Sequence, residues 1–206
     1  MPDVLERFPL FPLGLVLLPQ ELVPLHIFEE RYRLMVDRCL EDDSEFGILW
    51  LSDDGLRDVG CAARITEVVE RFDDGRLNIL IEGTEPFRLL RRIDDMPYPA
   101  GDVEQLADFD PAADPELLEL AQARYAELVE TATEEKPDLA EIAQLDAYGM
   151  AATGEHPAEA KQALLELRAE NDRLRMVEEM FRTAAKRVAY AEEAAERAQT
   201  NGSVPH

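Results

Sequence analysis

FPLFPLGLVLLPQELVPLHIFEERY (residues 8–32) combines large apolar side chains with four prolines, at positions 9, 12, 19 and 24. Proline has no N–H donor and a fixed φ, so this run cannot form one helix. We predict short strands over residues 8–11, 15–18 and 24–28, with a corner at Pro19. Short strands joined at proline corners indicate a small, strongly bent β structure, which later segments must pair with and cover.

An amphipathic helix is predicted next, from about residue 29 to residue 41. Apolar residues recur on one helical face, namely Phe28, Tyr32, Met35, Val36, Cys39 and Leu40. The run from Glu45 to Leu51 is apolar on both faces and contains Trp50, the only tryptophan. This pattern predicts a strand that is covered on both sides.

Further strands are predicted over residues 59–71, 76–82, 87–93 and 103–106. Asp73-Asp74-Gly75 is the strongest turn signal, because an Asp-Gly pair supplies the positive φ values of a tight hairpin. Gly83 marks a bulge or corner. The first half of the chain therefore carries roughly five to seven strands and one helix, as a closed or nearly closed antiparallel barrel requires.

The pattern of the sequence changes from strands to helices at the Pro- and Asp-rich segment 108–115, which we take as the domain boundary. Beyond it we predict helices over residues 115–134, 138–152, 158–167 and 171–199, the last two either continuous or separate. The predicted division is a β-barrel subdomain at 1–108, a helical subdomain at 114–199 and a disordered tail at 200–206.

The last helix has an apolar seam with alternating spacings of three and four. Its members are Leu174, Val177, Phe181, Ala184, Val188, Ala191, Ala195 and Ala198. Such a repeat indicates packing against another helix. We expect the first half of the seam to close the helical domain and residues after about Val188 to project from it or lie along the barrel. A homodimer formed through this helix is the alternative.

Two blocks resemble the substrate-binding, or N-terminal, domain of the Lon proteases. Residues 8–40 resemble the opening of that domain, and DGRLNILIEGTEPFRLL (residues 74–90) resembles its central hairpin. The blocks occur in the family's order and spacing, and the resemblance covers residues 8 to about 182. Gln20 and Glu30 depart from a common glycine and proline, which affects local turns. The resemblance implies an α+β fold with a PUA-like barrel, followed by a helical bundle.

Composition limits the partners and the location. The formal charge is −24 with only three lysines, so we do not expect nucleic acid as a partner. The PUA-like superfold does include RNA binders. Cys39 and Cys61 have no CxxC spacing, which favours reduced, buried thiols. Residues 8–18 lack the pattern of a signal peptide, and no stretch is long enough to predict a membrane span, so a cytoplasmic protein is expected.

Residues for catalysis are not evident in the sequence. No lysine follows a glycine, so the phosphate-binding GxxxxGK[ST] loop is absent. None of the three serines precedes a lysine that could serve as its base. Acidic pairs fall in predicted turns. We therefore predict a non-enzymatic module without the ATPase and serine–lysine peptidase of full Lon proteases, and without a cofactor or a metal.

The leading hypothesis is a module that binds hydrophobic or unfolded polypeptide segments, as an adaptor or holdase in protein quality control. The candidate contacts are Trp50, Met96, Pro97 and Tyr98, of which the loop residues stand where the strand pattern predicts solvent. For Trp50 a core position is favoured over a binding role, because Phe46 and Ile48 share or flank its strand. The second hypothesis is a PUA-like module for a small molecule, nucleotide or RNA. An exposed apolar groove favours the first hypothesis, and a basic or aromatic cleft favours the second.

Overall fold

The computed structural model describes residues 4–110, 112–133 and 135–201, and only the backbone of residues 189 and 191–201. The strands are β1 Val4–Leu13, β2 Leu22–Ile27, β3 Phe46–Ser52, β4 Gly55–Arg71, β5 Leu77–Ile93 and β6 Ala100–Gln105. The helices are α1 Glu30–Asp42, α2 Pro115–Thr133, α3 Leu139–Ile142, α4 Ala147–Ala151, α5 Ala158–Glu166 and α6 Glu170–Asn201. Of the predicted tail, residues 202–206 lie outside the described residues, whereas residues 200 and 201 end α6.

The six strands form one mixed sheet in the order β2-β5-β4-β3-β1-β6, and β6 pairs with β5 as well. The pairings of β5, β4, β3, β1 and β6 therefore close into a ring, with β2 outside it on β5. The expectation of a wholly antiparallel sheet is wrong at one pair, because β1 and β3 are parallel from Leu10–Gly47 to Leu13–Trp50. A parallel pair needs a long crossover connection, which β2 and α1 supply here.

The structure differs from the prediction at residues 15–18 and at Gly83, and these two places are in contact. Residues 15–18 are not a strand, although Val16, Leu17 and Leu18 are buried. Gly83 lies inside the continuous strand β5 and beside a register shift between the Cys61–Pro86 and Ala63–Gly83 pairs, so the predicted bulge is present and the predicted corner is not. A Cβ atom on Gly83 would lie 2.0 Å from the carbonyl oxygen of Leu18. The close approach of the 15–18 segment therefore also requires a glycine at this position.

Helix α1 buries Tyr32, Met35, Val36 and Cys39, as its periodicity predicts. Phe28 precedes the helix and is 61% exposed, and Leu40 is also exposed. The buried face of α1 is thus shorter than predicted, because the residues at its two ends are exposed.

Two cores lie on the two faces of the sheet. The inner core has members from all five strands of the ring, namely Phe8, Leu10, Leu49, Ala62, Phe87 and Val103. The rings of Phe8 and Phe87 meet edge to face at 5.7 Å between centroids. A Cβ atom on Gly47 would lie 2.5 Å from Phe87, so this phenylalanine occupies the space that a side chain at position 47 would need. The larger outer core lies between the sheet, α1 and the C-terminal helices.

The predicted helix over residues 138–152 is two short helices, α3 and α4. Asp146 lies between them and its carboxylate accepts a hydrogen bond from the Gly149 N–H at 2.7 Å, which starts α4 anew. Helices α5 and α6 are separate, because Leu167 has an extended backbone with ψ 138°.

Side-chain contacts fix the C-terminal half against the sheet. Gln162 on α5 donates to the carbonyl oxygen of Val59 at 3.1 Å. Lys161 donates to Glu21 at 2.6 Å, and both side chains are largely shielded from solvent. Arg173 on α6 pairs with Asp108 and with Glu170. The two halves therefore pack as one structure.

Candidate functional site

Strand β2 presents apolar side chains to solvent beside the ring. Leu22 is 57% exposed, and Pro24 and His26 are also exposed, whereas Val23, Leu25 and Ile27 turn toward the outer core. This alternation follows from the period of two in a strand. The outward face of β2 is therefore unusually apolar.

The register of β2 with β5 extends this surface. Pro24 pairs with Leu80 and His26 pairs with Asn78, so Leu80 lies on the same outward face. We define the β2 patch as Leu22, Pro24, His26, Phe28, Phe72 and Leu80. Arg64 and Glu82 form an ion pair of 2.6 Å at its border, with Glu82 opposite Leu22. An apolar centre with a charged border is typical of protein interaction surfaces.

His26 organises the aromatic part of the β2 patch. Its Nδ1 lies 2.7 Å from the side-chain oxygen of Asn78, and its ring is 6.0 Å from the rings of Phe28 and Phe72. Arg76 covers Phe72 at 5.1 Å. His26 is therefore a hydrogen-bonded residue whose ring lies beside two phenylalanines.

Pro24 determines how a partner can use this strand. Among the described strands, β2 pairs with β5 alone, so its other edge has no strand partner. Proline has no N–H, and the uninterrupted pairing from Leu22 to Ile27 places its nitrogen on that open edge. A proline there opposes addition of a further strand. The β2 patch is thus suited to side-chain contacts rather than strand addition.

Three of the sequence-predicted site residues lie together at one end of the ring. Met96, Pro97 and Tyr98 line a cavity of about 250 Å³ together with inner-core residues Leu10 and Leu49. Pro97 is exposed and Met96 half-buried, whereas Tyr98 is buried. Trp50 lies apart from the cavity lining, in the outer core, with 8% of its surface exposed. Arg57 covers its ring at 5.5 Å.

The cavity wall is held by two arginines. Arg38 donates to the Tyr98 hydroxyl at 2.9 Å. Arg7 pairs with Asp95 at 3.1 Å and lies in a register shift of β1, with φ 58°. This local irregularity directs the Arg7 side chain toward the loop between β5 and β6. The loop is thus anchored from β1 and from α1.

The described residues contain no group of three His, Cys, Asp or Glu side chains that could hold a metal ion. Cys39 and Cys61 are free and buried, and burial raises the pKa of both thiols. Neither thiol is therefore an activated nucleophile. None of the helices between residues 4 and 201 has the length and apolar character needed to cross a bilayer.

The β2 patch was missed at the sequence level, although residues 24–28 were predicted to be extended. Phe28 fits the helical period of α1 and was assigned to its buried face. The signal available was the alternation of Leu22, Pro24 and His26, which places three side chains on one face of an edge strand.

Comparison with known proteins identifies the family. A family model described as the ATP-dependent protease La (LON) substrate-binding domain matches residues 7–183. The chain belongs to this family. The Lon N-terminal domain protein from Xanthomonas campestris is 26% identical, with a TM-score of 0.64 over 84% of this chain and 97% of that one. The N-terminal domain of the Mycobacterium avium complex Lon protease is 20% identical, with a TM-score of 0.64 over 87% of this chain and 98% of that one. At that identity the second likeness supports the Lon fold alone.

Proposed function

We propose that this Lon-type domain binds apolar segments of unfolded polypeptides at the β2 patch. One observation carries the proposal, namely that Leu22 at the start of β2 and Phe28 directly after its end are 57% and 61% exposed. Exposed apolar side chains on one face with a charged border favour a protein partner. The membership in a substrate-binding family supports the same conclusion.

The spacing of the β2 patch suits an extended segment. Leu22 and Phe28 lie six residues apart, which corresponds to about 20 Å along a strand. His26 Nδ1 and the side-chain oxygen of Asn78 are hydrogen-bonded to each other, so covering these two atoms leaves neither without a partner. Apolar side chains of a bound segment would contact Leu22, Leu80 and the two phenylalanines.

We also propose that the chain acts in the cytoplasm as an adaptor or holdase in protein quality control. In this proposal the chain itself catalyses no reaction. We interpret the closed ring of strands, within residues 1–108, as a PUA-like barrel. We interpret residues 114–199 as its helical partner domain. Association of two chains through α6 belongs to the same proposal.

Binding can be tested with fluorescently labelled, reduced and carboxymethylated α-lactalbumin, a permanently unfolded chain. Phe28→Ser should weaken binding about tenfold in fluorescence anisotropy, because an exposed aromatic anchor is removed. Phe109→Ser is the matched control, since Phe109 is 75% exposed outside the β2 patch and its replacement should leave the Kd unchanged. Equal effects of the two substitutions would contradict the assignment of the site.

A labelled single-stranded RNA tests the small-molecule, nucleotide or RNA alternative in the same assay. The net charge of −24 predicts no saturable binding at physiological salt. Tight RNA binding, with no binding of unfolded α-lactalbumin, would replace the polypeptide proposal.

A further inference from the structure

The cavity at the end of the strand ring has a different chemistry from the β2 patch. Its apolar lining includes half-buried Leu56 and Met96, together with Leu10 and Leu49 of the inner core, which are 3% and 0% exposed. We call this cavity the recess.

Three charged residues line the same cavity, namely Arg31, Arg92 and Asp94. Arg31 is paired with Glu29, and Asp94 carries the negative charge of the lining. Arg92 is therefore the lining group that can receive an anion, and the Asp94 carboxylate disfavours a ligand with more than one negative charge.

Arg92 is available for such an anion. The preceding residue, Arg91, pairs with Asp102 at 2.6 Å. Arg92 makes no hydrogen bond or ion pair with any described side chain, and it is exposed. Arg31 pairs with Glu29 at 2.8 Å, so part of its guanidinium is already used. A guanidinium matches a carboxylate through two parallel hydrogen bonds, which makes Arg92 the principal donor.

The volume of about 250 Å³ is below the range of about 300–1,000 Å³ that is usual for drug-sized ligands. It accommodates one aliphatic side chain and a carboxylate. We propose that this recess binds the C-terminal residue of a polypeptide, with its aliphatic side chain on Leu56 and Met96 and its α-carboxylate on Arg92. The polypeptide source rests on the proposed function, whereas the recognition of an aliphatic carboxylate does not.

The walls of the recess are fixed before a ligand arrives. The hydrogen bond from Arg38 to Tyr98 and the ion pair of Arg7 with Asp95 hold the loop that contains Met96 and Pro97. A fixed wall reduces the conformational entropy lost on binding. A short ligand with few contacts can therefore be selected by its charge.

Two small probes test the recess directly. N-acetyl-L-leucine and N-acetyl-L-leucinamide differ only in the negative charge, and each is titrated into the ¹⁵N-labelled full chain and followed by NMR. The acid should shift the amide signals around residues 49, 56 and 92–100 and should bind about tenfold more tightly than the amide. Arg92→Gln should abolish this preference. Arg88→Gln is the matched control, because Arg88 is an exposed arginine of the same strand outside the recess, and it should retain the preference.

A pair of apolar dodecapeptides that end in leucine, one a free acid and one an amide, tests the polypeptide source. Tighter binding of the free acid, lost in Arg92→Gln and retained in Phe28→Ser, supports the inference. Equal binding of acid and amide to the wild type, or shifts confined to residues outside the recess, overturns it. Recognition of N-acetyl-L-leucine without binding of either peptide overturns the polypeptide source. The proposed function fails with it only if unfolded α-lactalbumin also does not bind.

Discussion

Arg173 and Glu170 are charged side chains buried where the two halves of the chain meet, with 4% and 5% of their surface exposed. Arg173 donates to Glu170 at 2.9 Å and to Asp108 at 2.8 Å, and its guanidinium covers the ring of Tyr148 at 4.6 Å. Glu170 in turn accepts the N–H of Ala147 at 2.9 Å. One arginine thus connects the domain boundary, α4 and α6.

Replacing Arg173 by methionine should lower the free energy of unfolding by about 3 to 5 kcal/mol, because a buried carboxylate loses its partner. Arg175→Met is the control. Arg175 pairs with Asp172 on the exposed face of α6, so its loss should cost at most about 0.5 kcal/mol. Urea denaturation measures both values. Similar losses for the two variants would show that the buried cluster does not stabilise the junction.

His156 makes stability depend on pH. Its Nε2 is buried without a hydrogen-bond partner among the described residues, and its ring lies 6.0 Å from Phe181. Burial lowers the pKa of His156, nearby Lys161 lowers it further, and Glu21 partly opposes both. The unfolded chain therefore binds a proton more readily than the folded chain. The stabilisation is complete above the unfolded pKa of about 6.5 and is lost as pH falls below it.

The free energy of unfolding should thus decrease between pH 7.5 and pH 5.5 more steeply in the wild type than in His156→Leu. Lys161 and Glu21 are present in both proteins, so the comparison isolates the imidazole. Urea denaturation at several pH values measures the difference. Parallel pH profiles would mean that His156 is protonated equally easily in the folded and unfolded chains.

The hairpin between β4 and β5 depends on Gly75, which has φ 84°. A Cβ atom there would also lie 2.6 Å from Arg33, whose guanidinium donates to the carbonyl oxygen of Asp74 at 2.7 Å. Gly75→Val should therefore cost about 1 to 2 kcal/mol or more in the free energy of unfolding. Gly14→Ala should be nearly neutral, because a Cβ atom on Gly14 has nothing within 4 Å. Equal stability of the two variants in urea would contradict the strained-turn account.

Helix α6 combines a buried first half with a long continuation. Phe181 is fully buried and its ring lies 5.4 Å from that of Tyr125 on α2. Phe181→Ala should cost about 3 to 5 kcal/mol in urea denaturation. The exposed Arg182 provides a control, and Arg182→Ala should cost at most about 0.5 kcal/mol.

Truncation after Tyr190 should leave Tm within a few degrees, because Tyr190 is already exposed. Side chains from 191 onward lie outside the described residues, so the alanine part of the seam remains a prediction. Light scattering of both chains is the accompanying measurement. Unfolding, or conversion of a dimer to a monomer, would make this tail a packing or association element.

Local signals predicted most elements, and contacts between distant residues account for the differences. The hairpin at Gly75 and the helix after Phe28 follow from turn chemistry and periodicity. Gly83 has the local signature of a bend, and the nearby Leu18 carbonyl is a further reason for a glycine at this position. Asp146 is a helix-capping residue type inside an apparently continuous helical pattern, and its role depends on the Gly149 N–H that it accepts.

Prediction of the candidate sites was also limited by contacts between residues that are distant in the sequence. The loop at Met96 and Tyr98 was identified because apolar residues stood where solvent was expected, and it does line a cavity. Tyr98 turns inward because Arg38, sixty residues earlier in the chain, hydrogen-bonds its hydroxyl. The β2 patch depends on the register of β2 with β5, which local periodicity does not determine.

Charge is distributed unevenly over the whole molecule. Residues 101–160 contain sixteen acidic and two basic side chains, whereas residues 161–206 contain eight of each. On α6, Arg175 and Arg182 form ion pairs with acidic residues of the same helix. Arg173 instead pairs with Asp108, which belongs to the acidic segment. The acidic segment is therefore left largely uncompensated. Its field opposes anionic partners along this segment.

The central claim is that an unfolded polypeptide is bound at the β2 patch. Backbone NMR of the ¹⁵N-labelled chain, of 23.3 kDa, with reduced and carboxymethylated α-lactalbumin tests it most directly. The largest amide perturbations should fall at residues 22–28, 72 and 78–82, and Phe28→Ser should reduce them, whereas Phe109→Ser should not. Perturbations centred on α2 and α6, with β2 unchanged, would contradict the account.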